Sequence, residues 1–294
     1  MRHLDLFSGI GSWALAAQHV WRDDYECVGF CETDWFCRMV LQKNFPGVPI
    51  YGDIRTLTDT NSTGLEGSGR AESPLAVHRG HVSLISASPP CQAASQAGRR
   101  QGKADDRWLW PQTFDVIRDV RPTFCILENV PGLLSLESGL VFEELCVELE
   151  NIGYSVQTYI IPAVALNAPH RRDRVWLIAH SLSPRSGDKS GDAGRQRWPA
   201  VPHRTDRLQP SDGSLRPRWP EAAAWERDWR EVAASTCVRT LDDGNTRNMV
   251  KLPDGTSISE ARWRKEALKA VGNAIVPAVA VEIMKAIKAA DQEV

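Results

Sequence analysis

At 294 residues and 32.7 kDa, the chain has room for about two domains, or for one domain with an insertion, at roughly 150 residues each. Hydrophobic residues make up 42% and charged residues 24%, an ordinary globular balance that excludes disordered, collagen-like and coiled-coil chains. The formal net charge is -2, from 35 basic and 37 acidic residues, which taken as a sum speaks against a nucleic-acid partner. Seven cysteines, an odd number without a CxxC pair, fit neither a disulfide framework nor a zinc site, so reduced thiols and no metal are expected. The sequence shows no apolar run near the roughly 18 residues of a membrane span, and MRHLDLFSG lacks a signal-peptide pattern. A cytoplasmic protein without a membrane partner is the expectation.

In chain order, His3–Phe7 reads as a strand, SGIGS as a glycine turn, and Trp13, Ala14, Ala16, Ala17 and Val20 as one face of a helix. The unit repeats with a strand over 27–32, a helix over Asp34–Phe45 and a third strand over 48–54. The polar stretch from Thr56 to Gly80 reads as a loop or insertion. His81–Ala87 and Phe124–Glu128 read as strands four and five, with Phe114, Ile117 and Val120 at helical spacing between them. Val141, Leu145, Leu149 and Ile152 mark the next helix, which Gly153 is placed to end. Tyr154–Ile161 and Arg174–Ala179 complete the strands.

This alternation predicts an α/β fold with a doubly wound, mainly parallel sheet. In such sheets ligands sit beyond the carboxyl ends of the strands. Asp5, the Gly9/Gly11 turn, Glu32, Asp53, Cys91 and Glu128 all fall at or just past predicted strand ends and should share one rim. From Ser181 the character changes: Ser181–Pro220 holds six prolines and four glycines, and eight Lys/Arg against four Asp. The near-neutral total therefore conceals a local positive excess. Trp198, Trp219, Trp225, Trp229 and Trp263 lie between here and the last helices, and are read as small-domain core before base-stacking platforms. The predicted division is a catalytic domain over 1–180, a small recognition region over 181–260, and C-terminal helices over 261–294 that pack back on the first domain.

Three constellations carry chemistry. GIGSWA is a GxGxxA turn after a strand, and Glu32 stands 21 positions beyond Gly11, the spacing at which a carboxylate holds a ribose diol of a dinucleotide or adenosyl cofactor. Cys91, in SPPCQ, precedes Arg99, Arg100, Lys103 and Arg107, whose field favours a thiolate. Glu128 ends the apolar run FCILE, where a carboxylate is costly unless protonated, paired or used. Arg171, Arg172 and Arg174 in HRRDR are its candidate partners or an anion site.

The ordered set DLFSGIGS, the Glu32 segment, GDI, SPPCQ, LENV, PHRRDR and KAVGNAIVP resembles the sequence blocks of DNA (cytosine-5)-methyltransferases, small and of phage or prokaryotic type. The likeness covers roughly residues 3–180 and 261–288. It implies S-adenosylmethionine as cofactor, with Phe7, Gly9, Gly11, Glu32, Asp53, Ile54, Pro90 and Asn273 around it. It implies Cys91 as nucleophile on cytosine carbon 6, Glu128 at ring nitrogen N3 and the exocyclic amine, and Arg174 at O2 with Arg172 supporting that grip. Gln92, Ser95, Arg99, Arg100 and Arg107 would face the DNA, closing over a flipped base. Double-stranded DNA is the implied partner and a monomer the expected state, and a restriction–modification setting would supply a cognate endonuclease. The sequence departs from the family pattern at Ser12, Thr33, Ala94 and His170.

Competing readings are an amino-methyltransferase acting on a base nitrogen, a nicotinamide-dependent oxidoreductase and a non-catalytic DNA-binding protein on the same scaffold. The first lacks an aromatic residue at Cys91, the second leaves Cys91 and the arginines idle, and the third leaves the Cys91, Glu128 and Arg174 set without a purpose. A tRNA substrate fits the family fold, though SPPCQ and the basic region lean towards DNA.

Overall fold

The structure, a computed structural model, describes residues 1–58, 75, 78, 80–90, 108–166, 168, 171–182, 240–241, 249–252 and 255–292. Seven strands form the main sheet: β1 (Arg2–Leu6), β2 (Glu26–Cys31), β3 (Ile50–Tyr51), β4 (Leu84–Ala87), β5 (Phe124–Asn129), β6 (Tyr154–Pro162) and β7 (Asp173–Ser181). Their order is β3-β2-β1-β4-β5-β7-β6. The first five are parallel to one another, as the alternating pattern predicts. β7 runs antiparallel to both β5 and β6. An apolar run has the same pattern in either direction, so the sequence reading placed these strands without their reversal. The third strand shrinks from the predicted 48–54 to two residues, Ile50–Tyr51, and the fourth begins at Leu84.

Helices cover both faces. On one, α3 (Trp110–Val120) and α4 (Leu140–Ile152) bury Phe114, Val116, Ile117, Val120, Val141, Leu145, Leu149 and Ile152 against Leu4, Leu6, Ile85, Ala87 and Leu127. Gly153 ends α4 in the left-handed region (φ 101°), as its sequence position predicts. On the other face, α1 (Ser12–Trp21) and α6 (Pro277–Gln292) bury Trp13, Ala16, Ala17, Val20, Val279, Ala280, Ile283, Met284 and Ile287 with Trp176 of β7. Trp13 and Trp176 meet edge to face at 5.6 Å. Lys288 Nζ donates to the Val20 carbonyl at 2.9 Å, fastening the end of the chain to α1.

The stretch Glu260–Asp291 is, by length and apolarity, enough to cross a membrane, contrary to the reading of the sequence, but half of its most apolar window is buried. It is broken at 274–276 into α5 (Glu260–Asn273) and α6, with Pro277 opening the second helix as a first-turn proline can. A second sheet is antiparallel: β8 (Thr240–Leu241), β9 (Met249–Lys251) and β10 (Ser257–Ser259), in the order β10-β9-β8. Leu252 and Ile258 bury themselves against Met39 and Trp263, so this small sheet abuts α2 (Trp35–Asn44) and α5. Trp198, Trp219, Trp225 and Trp229 lie outside the described residues, as does most of the Thr56–Gly80 loop.

Candidate active site at the carboxyl rim of the sheet

The strand order reverses at β1: the chain goes to β2 on one side and to β4 on the other. The crevice between the ends of β1 and β4 is therefore the switch point at which doubly wound sheets bind ligands. Both sides of it carry predicted residues.

After β1, Phe7, Gly9 and Gly11 all have positive φ (54°, 54° and 85°). A Cβ on Gly11 would stand 2.6 Å from the Phe45 ring and 3.0 Å from Leu41, so both backbone and packing require glycine there. A Cβ on Gly9 would meet nothing within 4 Å. The turn thus presents open space above Gly9, and next to it stands a carboxylate: Glu32 accepts from the Gly9 N–H through Oε2 and from the Asp34 N–H through Oε1, both at 2.7 Å. A carboxylate has about four acceptor positions, so two remain for hydroxyls. Asp34 caps α2, accepting from the Phe36 and Cys37 amides. Open space, a half-buried carboxylate and a left-handed glycine turn fit the ribose and methionine parts of S-adenosylmethionine.

Asp53 and Ile54 follow β3. Asp53 accepts from the Arg55 amide at 2.9 Å and pairs with its guanidinium at 2.9 Å, while Ile54 is buried in the core. Phe7 is partly buried and packs against the same core. Asn273 is the exposed last residue of α5, a helix that covers the glycine turn by packing Ala267, Ala270 and Trp263 on Ile10, Phe36, Cys37 and Val40. Lys269 adds an ion pair to Asp34 at 2.6 Å.

Across the crevice, Glu128 and Arg174 come together. Glu128 is 7% exposed at the end of β5, and its Oε1 lies 2.7 Å from Arg174 Nε. The antiparallel run of β7 explains the meeting, because a reversed strand starts at the rim where its neighbours end. Burial lifts the Glu128 carboxyl above its ordinary range, and Arg174, a hydrogen bond from Ser88 and Arg172 pull it part of the way back. Arg171 is exposed and paired with Asp173. Arg172 does not hydrogen-bond to Glu128: its Nη2 donates to the carbonyls of Gly272 and Ala274, at 3.0 and 2.8 Å. The guanidinium donates to the turn between α5 and α6 while remaining near enough to Arg174 and Glu128 for their charges to act on it.

Pro90 closes the described stub after β4. Cys91 is the next residue and, with Gln92, Ala94, Ser95, Arg99, Arg100, Arg107 and His170, lies outside the described residues. Three side chains not singled out from the sequence hold the stub. Trp13 Nε1 donates to Ser88 Oγ at 3.1 Å, Asn129 Nδ2 donates to the Pro89 carbonyl at 3.1 Å, and Ser88 bonds Glu128. For Ser88 and Asn129 the one sequence signal is adjacency, to Cys91 in SASPPC and to Glu128 in LEN; Trp13 reads from the sequence only as part of a buried helix face.

Asp5 is also corrected. It lies within β1, fully buried, and is not on the rim. Its Oδ1 accepts from Ser86 Oγ at 2.9 Å, Ser86 Oγ lies 2.7 Å from His3 Nε2, and His3 Nδ1 lies 2.9 Å from the Tyr25 hydroxyl. Oδ2 has no hydrogen-bond partner among the described residues. Burial raises the Asp5 pKa well above its ordinary value and lowers that of His3 to about 3, so both groups tend to neutrality.

With this geometry in view, comparison with known proteins is specific. A family model described as C-5 cytosine-specific DNA methylase matches residues 1–189. Type II methyltransferase M.DsaV of Dactylococcopsis salina is 32% identical over 179 residues, 60% of this chain and 45% of that protein. M.NlaX of Neisseria lactamica is 33% identical over 178 residues, 60% of this chain and 50% of that protein. The orphan methyltransferase M.Rho11sI of Bacillus phage rho11s is 26% identical, over 60% of this chain and 32% of that protein. The chain spans half or less of the length of these relatives. Among solved structures, S. pombe Dnmt2 methyltransferase aligns with TM-score 0.44 and 22% identity, over 63% of this chain and 52% of that one. The family model takes in β1 through β7 and every strand end of the rim, and the chain belongs to the C-5 cytosine-specific DNA methylase family.

Proposed function

We propose that this chain transfers a methyl group from S-adenosylmethionine to carbon 5 of a cytosine flipped out of double-stranded DNA. The observation that carries the reading is the buried Glu128–Arg174 pair, set beside the stub that leads to Cys91 and across one crevice from the Gly9–Glu32 cradle.

Glu32 holds the ribose hydroxyls, Gly9 and Gly11 let the backbone approach the methionine part, and Phe7, Ile54, Pro90 and Asn273 border the rest, with Asp53 near the adenine. Bound there, S-adenosylmethionine supplies an electrophilic methyl group for an activated carbon 5. Activation falls to the chain's own residues. The Cys91 thiolate adds to carbon 6, forming a C–S bond. The electron pair of the C5–C6 double bond moves into the ring, and Glu128 donates its proton to N3 while accepting from the exocyclic amine. A raised pKa suits that donation, because it favours the protonated carboxyl. Arg174 orients Glu128 and reaches O2 of the base. Loss of the carbon-5 proton to water, departure of the Cys91 thiolate and return of the N3 proton to Glu128 restore the aromatic ring and the acid.

A base inside a duplex is out of reach, so the cytosine must leave the stack. Gln92, Ser95, Arg99, Arg100 and Arg107 are proposed to face the DNA, and the region over 181–260 to read the site, its basic excess meeting phosphates and guanines. Residues 1–180 form the catalytic domain and 261–294 its returning helices in this reading. The expected setting is cytoplasmic, as a monomer, with a cognate endonuclease compatible with it.

The test is covalent capture. Incubated with S-adenosylmethionine and duplex DNA containing 5-fluorocytosine, the protein forms a denaturation-resistant adduct, and Cys91→Ala forms none while still binding cofactor. Methylation by Cys91→Ala at the wild-type rate would overturn the mechanism. Mapping 5-methylcytosine in a host that otherwise lacks it gives the target site in the same preparation.

A further inference from the structure

Helix α5 ends as helices do, with carbonyls that have no partner within the helix. Two carbonyls of this turn, those of Gly272 and Ala274, accept from the single Nη2 of Arg172, 100 and 102 positions earlier in the chain. A guanidinium there answers the open carbonyls and the negative end of the helix dipole together. The backbone at Arg172 is shaped for the task. Its φ is +36°, a region that non-glycine residues rarely occupy and that persists only when the surroundings enforce it. That twist takes Arg172 out of line with Arg174, so that two arginines of one motif serve different clients: Arg174 the Glu128 carboxylate, Arg172 the turn.

The turn is well placed to matter. It carries Asn273, and α5 behind it is pinned to the glycine turn and α2 by Ile10, Phe36, Ala267 and Ala270, and by Lys269 on Asp34. At its other end α5 continues directly from β10 of the small sheet. One helix thus touches the cofactor cradle, the rim beside Glu128 and the small sheet.

We propose that Arg172 is a positioning residue and not a contact to the base: its guanidinium latches the α5–α6 turn, with Asn273, to the rim that bears Glu128 and Arg174, so that cofactor binding depends on a residue of the base-capturing motif. The proposal rests on the methyltransferase reading above, and its test separates the two.

Arg172→Met keeps the length of the side chain and removes its donors, and Arg172→Lys keeps charge and guards against a variant that does not fold. In cofactor-free full-length protein, hydrogen exchange of the amides over 271–276 accelerates at least about tenfold in Arg172→Met, less in Arg172→Lys, while β5 and β7 exchange as in wild type. S-adenosylhomocysteine, titrated calorimetrically, binds about tenfold more weakly, as loss of charge-assisted hydrogen bonds dictates. KM for S-adenosylmethionine rises by the same factor in Arg172→Met and returns part of the way in Arg172→Lys, which keeps the charge felt by Glu128. A merely structural role would loosen β5 and β7 as well and would not be rescued by Arg172→Lys. Unchanged exchange over 271–276 overturns the latch, as does a hundredfold loss of kcat with homocysteine-form affinity intact. If the wild type binds no S-adenosylhomocysteine at all, the methyltransferase reading falls, and the exchange result still decides the latch.

Discussion

Glu32 and Glu128 end strands in the same sheet, three positions apart in strand order, and their surroundings could hardly differ more. Glu32, past the end of β2, is satisfied by two backbone amides and keeps acceptor positions free towards open space. Glu128, at the end of β5, is buried, faces a guanidinium and is pushed towards its protonated form by burial. The same side chain at the same level of the fold is thus, in the proposed reaction, a hydroxyl acceptor on one side of the crevice and a proton donor on the other. Identity does not set the role; desolvation and the nearest charge do.

The contrast breaks most completely at Glu128. Glu128→Gln keeps an acceptor for Arg174 but has no proton to give, so kcat falls by on the order of 10²–10³ with cofactor affinity nearly unchanged. With Glu128 as the proton donor of the proposed reaction, single-turnover rates decline as pH rises through its raised pKa; the variant lacks that limb. A Gln variant with wild-type turnover would remove Glu128 from the chemistry. Next in size is Glu32→Ala, which leaves the Gly9 and Asp34 amides without their acceptor. Cofactor affinity drops by about 10- to 100-fold, and kcat at saturation holds within a few-fold. A loss confined to kcat would assign the two glutamates the same role and end the comparison.

The smallest effect concerns stability and sharpens the same physics away from the rim. His3 is fully buried with a pKa lowered to about 3, against about 6.5 in the unfolded chain. The unfolded state therefore binds the extra proton, and the stability His3 lends is present above pH 6.5 and lost as pH falls from there towards 3, by at most about 1.4 kcal/mol per pH unit. Asp5 and Glu128, raised by burial, act with opposite sign, since their stabilising protons are lost as pH rises through their folded values. The difference between His3→Gln and wild type isolates the histidine: denaturant unfolding between pH 4 and 6.5 should give a flatter acid limb in the variant. Parallel limbs would show that His3 carries its charge in the folded protein.

Much of this arrangement is legible in the chain. Strand, glycine turn and helix repeat with enough periodicity to place β1, β2, β4 and β5 and to put Glu32 and Glu128 at their ends, because pleat and helix periods are local properties of sequence. Arg174 was readable as a partner for Glu128 only through its motif, since nothing local signals that β7 runs backwards and delivers its first residues to the rim. Asp5 looked like a rim residue because DLFSG continues into the turn. Its partners Ser86 and His3, across β4 and two positions back along β1, exist only once the strands pair. The hydrogen bonds of Arg172 are hidden for the same reason, their acceptors being backbone carbonyls a hundred positions away, which no side-chain pattern can announce.

The fastening of α6 to α1 has a consequence for how such a chain can change over time. Both ends of the connection from β7 to α5 are held, β7 in the main sheet and α5 on Ile10, Phe36 and Val40, and the entropic cost of joining two held ends grows only with the logarithm of the length between them, by about 0.6 kcal/mol for each doubling. Among the described residues, no strand of that stretch joins the main sheet. Natural variation can therefore lengthen, shorten or replace the segment that precedes α5 with little effect on folding, while the catalytic rim stays as it is.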